Sequence, residues 1–262
     1  MTQALLVFYQ RIIIDRPWQA IAFVLAVTLL MGMGLPNFKL DASADSLTLE
    51  YDEDLNFFRE VSKRYGSDDF LIVTFSPKFG ELLDDKNLET LSSISKNLNN
   101  IKGVDSTLSL LDAPLLYSPK ITVGDLENPL NTVLSEGVDK QLAKQEFLTS
   151  PIYKDMLLSA DGKTTGIIAK LSLDSQYLEL VSQRDNLRLI RDTEGLNSQQ
   201  QLVLASISQE FLDYRTAKTA EDHQRVAEVR NLMDQYRDQA TIYLGGPDMI
   251  TADMVDFIKS DL

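Results

Sequence analysis

Two periodicities of apolar residues run through this chain, and one stretch near its start follows neither. Residues 18–35 (WQAIAFVLAVTLLMGMGL) form 18 consecutive positions without a charge, and no comparable run follows in the remaining 227. At a rise of 1.5 Å per residue such a helix is about 27 Å long, close to the ~30 Å hydrocarbon thickness, so the pattern predicts one transmembrane helix over 18–35. Arg11 and Arg16 precede it and Trp18 sits at its edge; the positive flank places the N-terminus in the cytoplasm and the bulk of the chain outside, a bias partly offset by Asp15 and Lys39. A cleaved signal peptide is the alternative, since Ala42-Ser43-Ala44 has the small residues of a cleavage site. Against it, the run exceeds the usual ~7–15 apolar residues, and Lys39 and Asp41 lie between it and the cut. Residues 1–17, apolar but broken by Gln10 and Arg11, read as an amphipathic segment along the inner membrane surface.

Beyond the span the periods return. In the connector 36–66, Leu55, Phe58, Val61 and Tyr65 fall on one helical face, with an acidic start and Gly66 as the stop. Residues 69–76 are β-branched and aromatic and close on Pro77, the signature of a buried strand. Leu88, Leu91, Ile94 and Leu98 then recur at helical spacing, and residues 104–111 alternate as a second strand after Gly103. The order recurs: 164–173 as a strand, 220–237 as a helix with Val226, Val229, Leu232 and Tyr236 inward, and 241–244 as a short strand before Gly245-Gly246-Pro247. Two βαβ units in one domain, 67–247, predict a ferredoxin-like α+β sandwich. Helical or irregular excursions interrupt it at about 112–163, with prolines at 119, 129 and 151, and at 176–218. In the latter, Ser198 and Gln201 have capping-box spacing and open an apolar run that either continues into the helix at 220 or forms a hairpin with it. The last helix, 248–262, has Met249, Ile250, Met254, Phe257 and Ile258 recurring and reaches the final residue without a cap, as expected of a helix leading toward a second span.

Charge and chemistry narrow the reading. There are 25 basic and 39 acidic residues, net −14; the first 35 carry Arg11, Arg16 and Asp15, a net +1, which leaves −15 outside the span. Such a domain repels nucleic acid and anionic lipid surfaces. Without cysteine and with His223 alone, the sequence offers no nucleophilic triad and no zinc set, so no catalytic, cofactor-binding or metal-binding residue is assigned and no enzyme is expected. His223 lies among Glu221, Asp222, Gln224 and Arg225 and reads as a solvated side chain. Asp52-Glu53-Asp54 resembles a calcium loop only in passing, because Phe57 replaces the glycine of the turn and the distal glutamate spacing fails. Gly245-Gly246-Pro247 lacks a phosphate-cradling pattern and reads as a tight turn. Asp68-Asp69 and Asp84-Asp85 fall at element starts, where acids complement a helix dipole or end a turn.

Several short motifs then gain meaning from their order. Arg16-Pro17-Trp18 leads into the span, Phe38-Lys39-Leu40-Asp41 follows it, and Tyr65-Gly66-Ser67-Asp68-Asp69 precedes the first strand. Gly103-Val104-Asp105-Ser106 follows the first helix, and Leu244-Gly245-Gly246-Pro247 and Phe257-Ile258-Lys259-Ser260-Asp261-Leu262 close the chain. Together these resemble the N-terminal portion of a resistance-nodulation-division (RND) exporter of the MMPL-like branch. The resemblance implies a periplasmic porter domain between the first and second spans in a bacterial inner membrane. It further implies a module repeated after six spans and export of lipids, lipid-like molecules or amphipathic drugs driven by protons. The implied proton-relay residues belong to later spans outside this chain, and the implied partners are membrane lipids, the amphipathic substrate, the remaining spans, the second porter domain of the same protein and, in some assemblies, further copies of it. The span has no ionisable residue, as suits an anchoring helix. Ala22, Ala26, Gly32 and Gly34 would admit close helix neighbours, or simply face lipid. Two other classes fit the same layout: a membrane-anchored sensory or ligand-binding domain, and a protein-translocation accessory of the SecD type.

Overall fold

The computed structural model describes residues 14, 16–34, 53–66, 69–118, 120 and 130–261, and divides into two compact units, Met1–Asp41 and Ala42–Leu262. The N-terminal segment 1–13, Ala42-Ser43-Ala44, Phe38-Lys39-Leu40-Asp41, Asp52, Asp68 and the prolines at 119 and 129 lie outside the described residues.

In the first unit the helix α1 (Pro17–Gly32) occupies most of the uncharged run. Pro17 starts it, where a missing N–H costs nothing. It buries no residue, and Trp18 is 82% exposed, with Phe23, Leu29, Leu30 and Met31 nearly as open. Its 16 residues give a length of about 24 Å. Among the described residues no helix is long and apolar enough to cross a membrane.

The second unit is α+β. After α2 (Glu53–Tyr65), β1 (Phe70–Pro77) is followed by α3 (Asp85–Asn99) and β2 (Val104–Leu108). Then come α4 (Lys140–Thr149), β3 (Thr165–Leu171), α5 (Ser175–Thr193), α6 (Ser198–Asp234), β4 (Ala240–Gly245) and α7 (Pro247–Asp261). The four strands form one sheet in the order β2-β3-β1-β4, every neighbouring pair antiparallel. Thus β1 and β2 run parallel with β3 between them, and β3 and β4 run parallel with β1 between them, so the two βαβ units are split and interleaved. The strand periods decide which face is covered. Leu71, Val73 and Phe75 of β1 align with Ile167, Ala169 and Leu171 of β3 and Ala240 and Ile242 of β4 on the buried face. Helix α3 contributes Leu88, Leu91, Ile94 and Leu98 to this core, and the second half of α6 contributes Val226, Val229, Leu232 and Met233. Each fully buried Leu, Ile or Phe here removes apolar area worth about 1.5–3 kcal/mol.

The two excursions are helical or irregular chain. In the first, Leu115, Val133, Ala143, Phe147, Tyr153 and Leu158 join the main core. A buried carboxylate holds this lobe together, as Glu146 accepts hydrogen bonds from the backbone N–H groups of Leu116 (2.6 Å) and Tyr117 (3.1 Å). The second excursion is α5 and the first half of α6, an antiparallel helical hairpin with its own small core of Leu180, Val181 and Phe211 flanked by Tyr177 and Tyr214. The segments starting at 198 and 220 are therefore one 37-residue helix, and its hairpin partner is α5. The capping box is present one residue earlier than its spacing suggested: Asn197 Oδ1 accepts from Gln200 N (2.8 Å) and Gln200 Oε1 accepts from Asn197 N (3.0 Å).

Two amphipathic faces are rotated from their expected positions. In α2, Ser62 is buried and Arg59 reaches Asp185 of α5 at 3.2 Å, whereas Phe58 and Tyr65 are exposed. In α7, Ala252 and Val255 are buried, whereas Ile250, Met254 and Phe257 face outward, Phe257 at 72% exposure.

Candidate functional site: the charged joint between α6 and α7

Helix α7 leaves the sheet through Gly245-Gly246-Pro247. Gly246 has φ +123°, and a Cβ there would run into the Phe70 carbonyl oxygen, so only glycine lets β4 turn into α7 at this distance from β1. The turn packs α7 against the second half of α6, with Ala252 and Val255 buried and Met249 packed against the main core. Three acid–base pairs border this contact. Arg230 Nη2 donates to both oxygens of Asp253 at 2.8 and 2.9 Å, His223 Nδ1 lies 3.5 Å from Asp256, and Arg225 Nη1 donates to Asp248 at 3.3 Å.

Arg225 is the most buried member, 6% exposed. Its Nε donates to the Lys102 carbonyl (3.2 Å), and its Nη2 lies 2.8 Å from Asp222 Oδ1 in an ion pair off the hydrogen-bond line. It fits because Gly103, at φ +87°, has no side chain: a Cβ there would lie 2.8 Å from Nε and 2.9 Å from Nη2. Burial, then the nearby carboxylates of Asp222 and Asp69, push the Asp248 carboxyl up to about 6, against the opposing pull of Arg225 and Lys218.

Among the residues singled out in the sequence, His223 is corrected. It is a half-buried member of this joint, with Nε2 enclosed and without a hydrogen-bond partner, instead of a solvated side chain. Asp69 faces the same cluster from the start of β1. Asp84 is the N-cap residue of α3, its carboxylate accepting from Glu81 N (2.8 Å), and Asp85 pairs with Lys140. Asp54 opens α2. On α1, Ala22 and Ala26 are exposed and a Cβ at Gly32 would meet nothing. No group of His, Cys, Asp or Glu among the described residues could hold a metal ion. Sequence reasoning missed Arg225. Its signal was position: it stands four residues before Val229 and seven before Leu232, on the inward stripe of α6.

A second surface is the other face of the sheet. Leu108, Ile168 and Ile72 align across β2, β3 and β1, with Thr74 beside Tyr243 on the next row. These side chains are half-buried or exposed, Tyr243 at 67%.

No family model, no curated protein and no solved structure matches this chain.

Proposed function

We propose that the chain is the first membrane helix and first periplasmic porter domain of an RND exporter of the MMPL-like branch, acting in an inner membrane on hydrophobic or amphipathic substrates and carrying no catalysis of its own. The observation that supports this reading is the strand order β2-β3-β1-β4 with two interleaved split βαβ units. That is the ferredoxin-like pattern expected of a porter unit, and it stands in the same chain as an uncharged helix that buries no residue. A helix such as α1, uncharged from Trp18 onward, is stable in water only at the expense of ordered solvent around all of its large side chains; lipid removes that cost. On this reading the sheet face of Ile72, Ile168, Leu108 and Tyr243 borders the substrate path, because amphipathic cargo requires apolar area beside hydroxyls such as Thr74.

Native mass spectrometry of the membrane-extracted protein tests this. The expected result is a co-purifying lipid or amphiphile that an Ile168→Asp variant loses while remaining folded. Extraction with no retained amphiphile, together with a gene that continues into a kinase or cyclase module in place of closely spaced spans, would replace the exporter reading with the sensory one.

A further inference from the structure

Helix α2 carries an aromatic stripe that its own domain leaves open. Arg59 and Ser62 mark the inward side, since Arg59 reaches Asp185 of α5 at 3.2 Å and Ser62 is buried. At 3.6 residues per turn, Phe57, Val61, Tyr65 and Phe58 fall within an arc of about 100° away from Arg59. Val61 is half-buried, whereas Phe57, Phe58 and Tyr65 are 69%, 50% and 77% exposed. Lys63 and Arg64 stand in the last turn, both exposed and neither in an ion pair among the described residues, although the chain carries a net charge of −14. The Arg64 guanidinium lies 5.8 Å from the centre of the Tyr65 ring, which holds a cation beside the stripe. Glu60 stands beyond Arg64 on the edge away from Phe58 and Tyr65, and Asp54 is at the far end of the helix from both cations.

Exposed rings next to unpaired cations fit one kind of surface closely. At the boundary between phospholipid headgroups and acyl chains, phenyl and phenol rings leave water while ammonium and guanidinium groups meet phosphate oxygens. In the chain only residues 33–52 separate α1 from α2. We propose that α2 docks flat on a phospholipid surface, seating Phe57, Phe58 and Tyr65 at the headgroup boundary with Lys63 and Arg64 on the phosphates. This goes beyond the reading of α1 as a membrane helix by adding a second contact with the bilayer. A short amphipathic helix binds reversibly, so α2 orients the domain against the surface and α1 remains the anchor.

Because the chain has no cysteine, a single nitroxide can be attached at Phe58→Cys or, as the polar-side control, at Glu60→Cys, in the full chain reconstituted with phosphatidylcholine vesicles. Power saturation against oxygen and a water-soluble nickel complex then gives the depth of the label, while emission from Trp18, the single tryptophan, reports α1 independently. The expected result is a label at 58 about 5–10 Å into the headgroup–acyl boundary and a label at 60 in water. In the combined Lys63→Gln and Arg64→Gln variant the label at 58 should move toward water. A label at 58 that sits in water overturns the proposal whatever Trp18 reports. So does one shielded from both relaxants, as it would be beneath protein or a second copy of the chain, and so does a depth unchanged in the combined variant. Water-like Trp18 emission with the label at 58 in lipid sustains the docking of α2 and overturns the reading of α1.

Discussion

Single residues in this domain are held by contacts that their types alone do not announce. Gly103 is the clearest, since it sits at φ +87° and its missing side chain is the space in which Arg225 lies. Gly103→Ala should therefore cost about 1–3 kcal/mol, from strain at positive φ and displacement of a buried guanidinium, read as a lowered midpoint in urea unfolding. Glu146 makes a similar case with opposite chemistry. Its two carboxylate oxygens accept from Leu116 N and Tyr117 N, and glutamine can offer only one acceptor to the same pair. Glu146→Gln should lower stability by about 1 kcal/mol or more, because one backbone N–H loses its partner and the buried site must hold an amide in its place. Its carboxylate also raises the adjacent Tyr153 hydroxyl, though burial of that ring is the larger cause. Neither role is visible in the sequence, where Gly103 reads as punctuation and Glu146 as one acidic residue among many.

Elements show how far periodicity reaches. Helix α3 was legible in full, because its four leucine and isoleucine positions meet a single flat surface and nothing competes for them. In α2 and α7 the element was legible and its buried face was not, since both carry apolar residues on more than one side and the partner chooses between them. The hairpin of α5 and α6 was half legible. Its helical character follows from local sequence, but the cap lies one residue earlier than the spacing suggested, the choice between one helix and two was open, and the pairing with α5 depends on Phe211 packing between Tyr177 and Arg184, whose guanidinium stacks 4.1 Å from the ring centre. Phe211→Ala should remove this core at a cost of about 3–5 kcal/mol. Because the main core contains none of its residues, hydrogen exchange should show the hairpin opening while the sheet stays protected. At the other end of α6, Gly246→Ala should disturb the turn into α7 and abolish protection there, with β1 and β4 retained.

The whole molecule is two units of opposite character, an uncharged helix with every large side chain outward and an acidic α+β domain. All residues of the main core lie between Leu71 and Ala252, so removal of residues 1–41 should leave a domain that unfolds cooperatively within about 5 °C of the full chain, as calorimetry can check. The loss of membrane association in that truncated form is the complementary expectation of the transport reading.

By itself the sequence determined where apolar runs of each period begin and end, and therefore the helices, the strands and the uncharged segment at 18–35. It also determined the chemistry to expect, since a cysteine-free chain with one histidine limits what can be built. Only the tertiary structure decided the strand order, because antiparallel neighbours such as Ile72 and Ile168 are 96 positions apart and no local pattern encodes their pairing. It decided the joint for the same reason. Arg225, Asp248, Asp69 and Gly103 come from four separate segments, and the energy of a buried charge depends on what surrounds it, which exists only once the chain has folded.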